Sequence, residues 1–354
     1  MSLLNYYNSA PNSKEEAINS NQLYSELKKN ALSKKLSNNC LICGGKNVKF
    51  CKSHTLPRFL LKNFTQDGKL YNAMYFANSD YIAKELGVQN TQIFYDICYD
   101  CDSKLFQEYE NPNNYTNIPN QKMLKEIVLK NHLYYTYKLN RDINIFKQLN
   151  EVEKTFSKKS KFSDVIKCHQ LDFYEIKNRI QEAYNDINNQ CEKYIIGYYN
   201  KLNYKAPVAV QTSIALYYDF VGKKLNNPFS KKSLDYLHIC IFPHASGSII
   251  FLFYEKNKHK FDKFFQDLNN LDEATQLAII NYIVLMYTDD VFINKQIVLT
   301  ENEKANLDKA CYVPVSVAPK RIANKQKKQD FKEMYSLNRF KEVTNLLNCK
   351  FKII

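Results

Sequence analysis

Four cysteines arranged as two C-x-x-C pairs, Cys40/Cys43 and Cys98/Cys101, are the side chains in this 354-residue sequence best suited to chemistry. Thiolates are soft ligands, and two such pairs supply the four sulfurs that tetrahedral zinc takes in a structural site. Each C-x-x-C turn can bring both of its sulfurs to one metal, so the pairs are expected to meet across the 54 residues between them. Gly44, directly after the first pair, fits a knuckle in which backbone amides approach the sulfurs. A single C-x-x-C would read equally well as a redox pair. Two of them, one leading into Gly44-Gly45 and the other opening a helix, favour a structural metal. Cys51, three residues before His54, leaves an exchange of ligands open.

Between the pairs runs CKSHTLPRF, residues 51–59, with adjacent Ser53 and His54. The combination of Cys40-x-x-Cys43, then Ser53-His54-x-x-Pro57-x-Phe59, then Cys98-x-x-Cys101-Asp102 and a closing Tyr109-Glu110 resembles the HNH endonuclease superfamily, in the form found in prokaryotic proteins. The core of that superfamily is a ββα-metal unit built on a treble-clef zinc finger, and the resemblance spans residues 40–110. It implies that His54 is the general base that activates water against a phosphodiester, a role suited to an imidazole that accepts a proton near neutrality. It also implies that Asp102 stands where the family holds a catalytic divalent cation, Mg²⁺ or Mn²⁺, that stabilises developing phosphorane charge. A role in defence against phage or mobile DNA is expected by analogy with the family alone.

The chain departs from that pattern at two points. Ser53 stands where an acidic or histidine metal ligand is usual, and Phe106, one turn beyond Asp102, cannot bind metal. On a continuous helix Glu108 would face away from Asp102, and Glu110 would be only loosely aligned two turns on. Asp96, Asp100 and Asp102 nevertheless give the neighbourhood a negative potential able to recruit a cation. His54 therefore keeps two readings, catalytic base or structural knuckle histidine.

These residues need elements to position them, and the pattern predicts an α+β chain. Residues 1–36 form a helical lead-in and residues 37–115 the HNH-like, treble-clef zinc module. Residues 116–205 read as a helical region, with an apolar stripe through Leu124, Ile127, Val128 and Tyr135 and a second helix over about 172–200. Residues 206–317 read as an α+β domain. Its β-branched and aromatic runs give an antiparallel sheet, with a hairpin turning through residues 243–247. Two helices follow near 258–269 and 273–288, the second capped by Asp272. Residues 318–354 form a basic, mostly helical tail.

The formal net charge of +14 favours polyanionic partners, because neutralising phosphates releases condensed counterions. The tail alone carries ten Lys and Arg against three Asp and Glu. Within it, Lys320, Arg321, Lys325, Lys327, Lys328 and Lys332 are candidates to face a phosphate backbone, as is Arg58 in the zinc module. The partner expected is DNA or RNA; a solvated basic surface on a protein-interaction scaffold is the competing reading. Tyr134, Tyr135, Tyr137, Tyr198 and Tyr199 fit core packing better than base stacking. The C-terminal α+β region is the expected place for a small-molecule or protein trigger. Seven glycines, with no Gly-rich phosphate loop and no G-x-S-x-G elbow, exclude P-loop nucleotide hydrolysis and serine-elbow chemistry. No apolar run reaches membrane-spanning length and no export signal opens the sequence, so a cytoplasmic location is expected.

Overall fold

The computed structural model describes residues 14–33, 38–72, 85–154, 162–227, 233–311 and 325–353. In chain order the elements begin with helix α1 (Lys14–Ser33), strand β1 (Ser53–His54), α2 (Arg58–Phe64), β2 (Lys69–Asn72) and β3 (Leu86–Gly87). Next come β4 (Ile93–Phe94), α3 (Tyr99–Leu105), α4 (Gln107–Glu110), α5 (Gln121–Lys154) and α6 (Ser163–Ile187). The remainder is β5 (Tyr194–Leu202), β6 (Val208–Ile214), β7 (Leu237–His244), β8 (Gly247–Glu255), α7 (Lys260–Asn269), α8 (Glu273–Tyr287), β9 (Val291–Asn294), α9 (Glu301–Cys311) and α10 (Lys325–Met334). The chain is thus mixed α and β with an antiparallel sheet, as its pattern predicts.

These elements separate into two units. Among the described residues, one holds those up to Thr55 together with Gln92–Cys191, and the other holds Leu56–Thr91 together with those from Glu192 onward. The stretch read as a single zinc module, 37–115, is therefore divided: its middle belongs to the sheet-bearing unit.

In the sheet-bearing unit the strands run β3-β2-β9-β6-β7-β8-β5, with every neighbouring pair antiparallel. The central hairpin pairs Leu237 with Tyr254 and His244 with Gly247 across a two-residue turn, Ala245-Ser246. Strands β7 and β8 are buried along almost their whole length, the burial expected of strands covered on both faces. Helix α8 supplies much of the cover, burying Leu277, Ile279, Ile280, Ile283 and Val284, and its N-terminus is capped by Asp272, which accepts from the Thr275 N–H. Helix α2 packs on β7.

The second helix of the middle region differs from expectation. It ends at Ile187, where Asn188 and Asn189 leave the ladder, and residues 194–202 form edge strand β5 instead. The run YIIGYYNKL is β-branched and aromatic, and at Gly197 a bulge brings the backbone so close to Phe265 that a Cβ would lie 2.3 Å from its ring. Tyr198 is buried in this strand and Tyr199 is half-buried.

The tail is also less solvated than its charge suggests. Beyond α10 it runs through short 3-10 turns, and Phe331, Tyr335, Leu337, Leu346, Leu347 and Phe351 are buried. Asn281 of α8, itself 1% exposed, fastens it by donating to the Thr344 carbonyl at 3.0 Å and accepting from the Leu346 N–H at 3.0 Å. Replacing Asn281 with Ala leaves both tail groups buried without partners, so the denaturant midpoint should fall by the equivalent of about 1–3 kcal/mol. An unchanged midpoint would show that the tail does not dock through this residue.

Candidate metal centre

The first knuckle is formed by residues 38–46. The Cys40 carbonyl accepts from the Gly44 N–H at 3.0 Å, and the Cys40 N–H donates to the Gly45 carbonyl at 3.1 Å. Gly44 has a φ of +66°, a left-handed conformation that glycine adopts without strain. A Cβ on Gly45 would lie 2.9 Å from Val48 and 3.3 Å from the Cys43 sulfur. The second pair sits at the N-terminus of α3, with Cys98 as its cap residue. The two halves are joined by an antiparallel bridge between Phe50 and Cys98 and by N–H donations from Tyr99 to Lys49, Cys51 to Ile97 and Leu41 to Asp96.

The result is a cluster in which the four sulfurs of Cys40, Cys43, Cys98 and Cys101 lie within 4.8 Å of one another. Cys40 and Cys101 are 3.8 Å apart, sulfur to sulfur, as are Cys43 and Cys98. A zinc tetrahedron with Zn–S bonds of about 2.3 Å has edges of about 3.8 Å, so the donor set and its spacing fit that ion. Backbone N–H groups of Ile42 and Cys98 point at the Cys40 sulfur, at 3.4 and 3.3 Å. Burial pushes the Cys40 and Cys101 thiols up, whereas the Gly45 N–H holds the exposed Cys43 thiol down. A metal must displace the protons on the raised pair, so loading grows tighter as pH rises.

Among the described residues no other group of three or more His, Cys, Asp or Glu side chains can share an ion. Cys51 lies outside this cluster: its sulfur donates to the Ile97 carbonyl, and burial together with Asp102 pushes its thiol up to about 12. His54 is half-buried on β1, paired with Ile93 of β4, and lies outside the cluster as well.

Beside Cys101, the carboxylate of Asp102 gathers Ser53 and Lys130 around it. Ser53 donates to Asp102 Oδ1 at 2.6 Å. The ammonium of Lys130, on α5, sits 2.9 Å from Ser53 Oγ, 3.2 Å from the His54 carbonyl, 3.1 Å from Asp102 Oδ1 and 2.9 Å from Glu110 Oε1. It also lies 4.2 Å from the centre of the Phe106 ring. Phe106 separates α3 from α4, and Glu110 at the end of α4 meets the same ammonium as Asp102. The loop carrying Ser53 and His54 is fixed by Thr55, which bonds Gln92 through its N–H at 2.9 Å and accepts from the Tyr109 hydroxyl.

Sequence reasoning missed Lys130 because α5 reads as amphipathic. In the fold it is covered on almost all sides between Met123 and Leu133, so the polar positions between the apolar ones are buried too. Asp96, expected to add negative potential, is buried, and burial pushes its carboxyl up to about 7. Arg58 is exposed at the start of α2 in the sheet-bearing unit. Lys320 and Arg321 lie outside the described residues, as do the side chains of Lys325, Lys327 and Lys328, whose backbone is helical in α10. The chain matches no family model, no curated protein and no solved structure.

Two outcomes follow. Replacing both Cys98 and Cys101 with Ser should abolish stoichiometric zinc by elemental analysis and lower the unfolding midpoint; full zinc retention would dissolve the cluster. Glu126, fully buried with Oε2 accepting the Tyr109 N–H at 2.8 Å, has its carboxyl pushed by burial up to about 7 from 4.5. The folded state thus keeps a proton that the unfolded chain has released, and stability falls as pH rises through that window. Glu126→Gln should remove that loss and raise stability at pH 8 by about 2–3 kcal/mol relative to wild type. Denaturant titrations of both proteins between pH 5 and 8, in zinc-containing buffer, decide this.

Proposed function

We propose that this is a zinc-stapled protein of the HNH-like, treble-clef kind that binds nucleic acid without cleaving it. The observation that carries the reading is the convergence of four thiols at zinc-site spacing on a module made of a knuckle, a short strand pair and a helix. Cys40, Cys43, Cys98 and Cys101 would hold the ion, which supplies no chemistry beyond fixing the knuckle to α3. Supporting the choice of partner are the chain's charge of +14 and the exposed Lys46, Lys49, Lys52 and Tyr99 around the knuckle. Cations give salt-dependent phosphate contact, and an exposed ring gives a surface on which a base can stack.

The absence of cleavage follows from Lys130. A general base at His54 needs a divalent cation opposite it to stabilise charge on the phosphate. The oxygens placed to bind that cation already close on an ammonium that is 0% exposed. On this reading Ser53 and Asp102 hold the loop in place, and His54 is structural.

The test uses the zinc-loaded full chain. Fluorescence anisotropy with single- and double-stranded DNA and RNA should show binding that weakens steeply and linearly in log K against log salt. Plasmid incubated with Mg²⁺ or Mn²⁺ should stay intact with wild type and with His54→Ala alike. Cleavage by wild type that His54→Ala loses would replace this proposal with a nuclease. Failure to bind any of the four nucleic acids at low salt would replace it with a protein-interaction scaffold.

A further inference from the structure

We infer that the ammonium of Lys130 is a built-in cation that takes the place of a bound divalent ion, and that its removal opens a hard-cation site formed by Asp102, Glu110, Ser53 and the His54 carbonyl. The inference rests on the closed-site part of the proposal above, and its test involves no nucleic acid.

Four oxygens of the hard-donor type converge on one point: two carboxylates, a hydroxyl and a backbone carbonyl, all 2.9–3.2 Å from Lys130 Nζ. An ammonium has only three N–H donors, so it meets more acceptors than it can serve one to one. The arrangement is closer to a coordination shell than to an ordinary ion pair. Charge points the same way, since one ammonium faces the carboxylates of both Asp102 and Glu110. Phe106 lies under the cation and Phe94 stands 6.0 Å away. The Cys51 thiol, which approaches Asp102, stays protonated and adds no charge. Lys130 itself is 0% exposed, whereas the side chains of Asp102 and Glu110 are 21% and 46% exposed. Solvent therefore reaches the cage from the carboxylate side, which gives an incoming ion both a path and water to complete its shell.

Lys130→Met separates the two roles of the residue. Methionine keeps the apolar stem against Phe106 and ends one atom short of the ammonium, which vacates the centre of the cage alone. Isothermal titration of zinc-loaded protein with Mn²⁺ should find one site per chain in Lys130→Met, about ten-fold or more tighter than any binding by wild type. Adding Asp102→Asn and Glu110→Gln to that variant should abolish the site. Equal Mn²⁺ binding by wild type and Lys130→Met, or binding that survives loss of both carboxylates, overturns the inference.

If Lys130→Met does not fold, wild type decides the matter through the ¹⁵N resonance of its lysine ammonium groups. A slowly exchanging signal, absent from Lys130→Arg and unaffected by Mn²⁺, supports the built-in cation. A signal broadened by Mn²⁺ at the cage, or no protected ammonium at all, overturns it.

Discussion

Four thiols do not gather unaided. Deprotonated they repel one another, and protonated they are poor partners for the backbone amides around them, so a cation at the centre would stabilise the cluster. What the ion would join is also unusual in sequence terms. Cys43 and Cys98 stand at the two ends of an excursion, and its middle, Leu56–Thr91, gives a helix and two strands to the other unit. The chain leaves the knuckle, builds part of a sheet and returns to open α3. Closing so long a loop costs conformational entropy that grows slowly with length, and a metal clip offsets it through the stability of its own bonds. The Ser53–His54 strand and the acidic cage are set by this closure, because β1 and β4 border the excursion on either side.

The acidic cage illustrates how charge and burial together decide chemistry. Two carboxylates and two further oxygens would be costly to hold so close without a positive partner. A soluble cation could come and go with conditions, whereas a lysine from α5 is permanent and fixed by packing. It also ties the four-cysteine segment to the long helix through three hydrogen-bonded segments at once. On the proposed reading the module has kept the outline of a hydrolytic site and turned its interior into a joint.

Much of this was legible in the residues. The two C-x-x-C pairs predict the cluster through ligand type and spacing, and the central hairpin and the Asp272 cap follow from β-propensity and cap chemistry. Lys130 was not legible, because nothing local distinguishes a lysine on the solvated face of an amphipathic helix from one buried by later elements. The meeting of Glu110 with Asp102 on one ammonium was not legible either, because phasing at 100° per residue assumes an unbroken helix and the ladder is interrupted at Phe106. The run 194–202 reads as helix because tyrosines pack well in either element, yet it forms strand β5. Gly197 was the available clue, since a glycine inside an aromatic run marks a bulge or a close approach. The burial of the tail was hidden by its lysines, whose charge dominates composition while Leu346, Leu347 and Phe351 do the packing.

The pairing of β2 with β9 sets Leu70 against Asn294 and Asn72 against Phe292, more than two hundred residues apart. During synthesis the cysteines and the Lys130 helix emerge early, but β2 has no partner on that side until the ribosome has passed Val291. An unsatisfied strand edge is thus exposed through most of translation, and any polypeptide truncated before that point carries it permanently. The amino-terminal half of the molecule is for this reason a poor candidate for expression by itself.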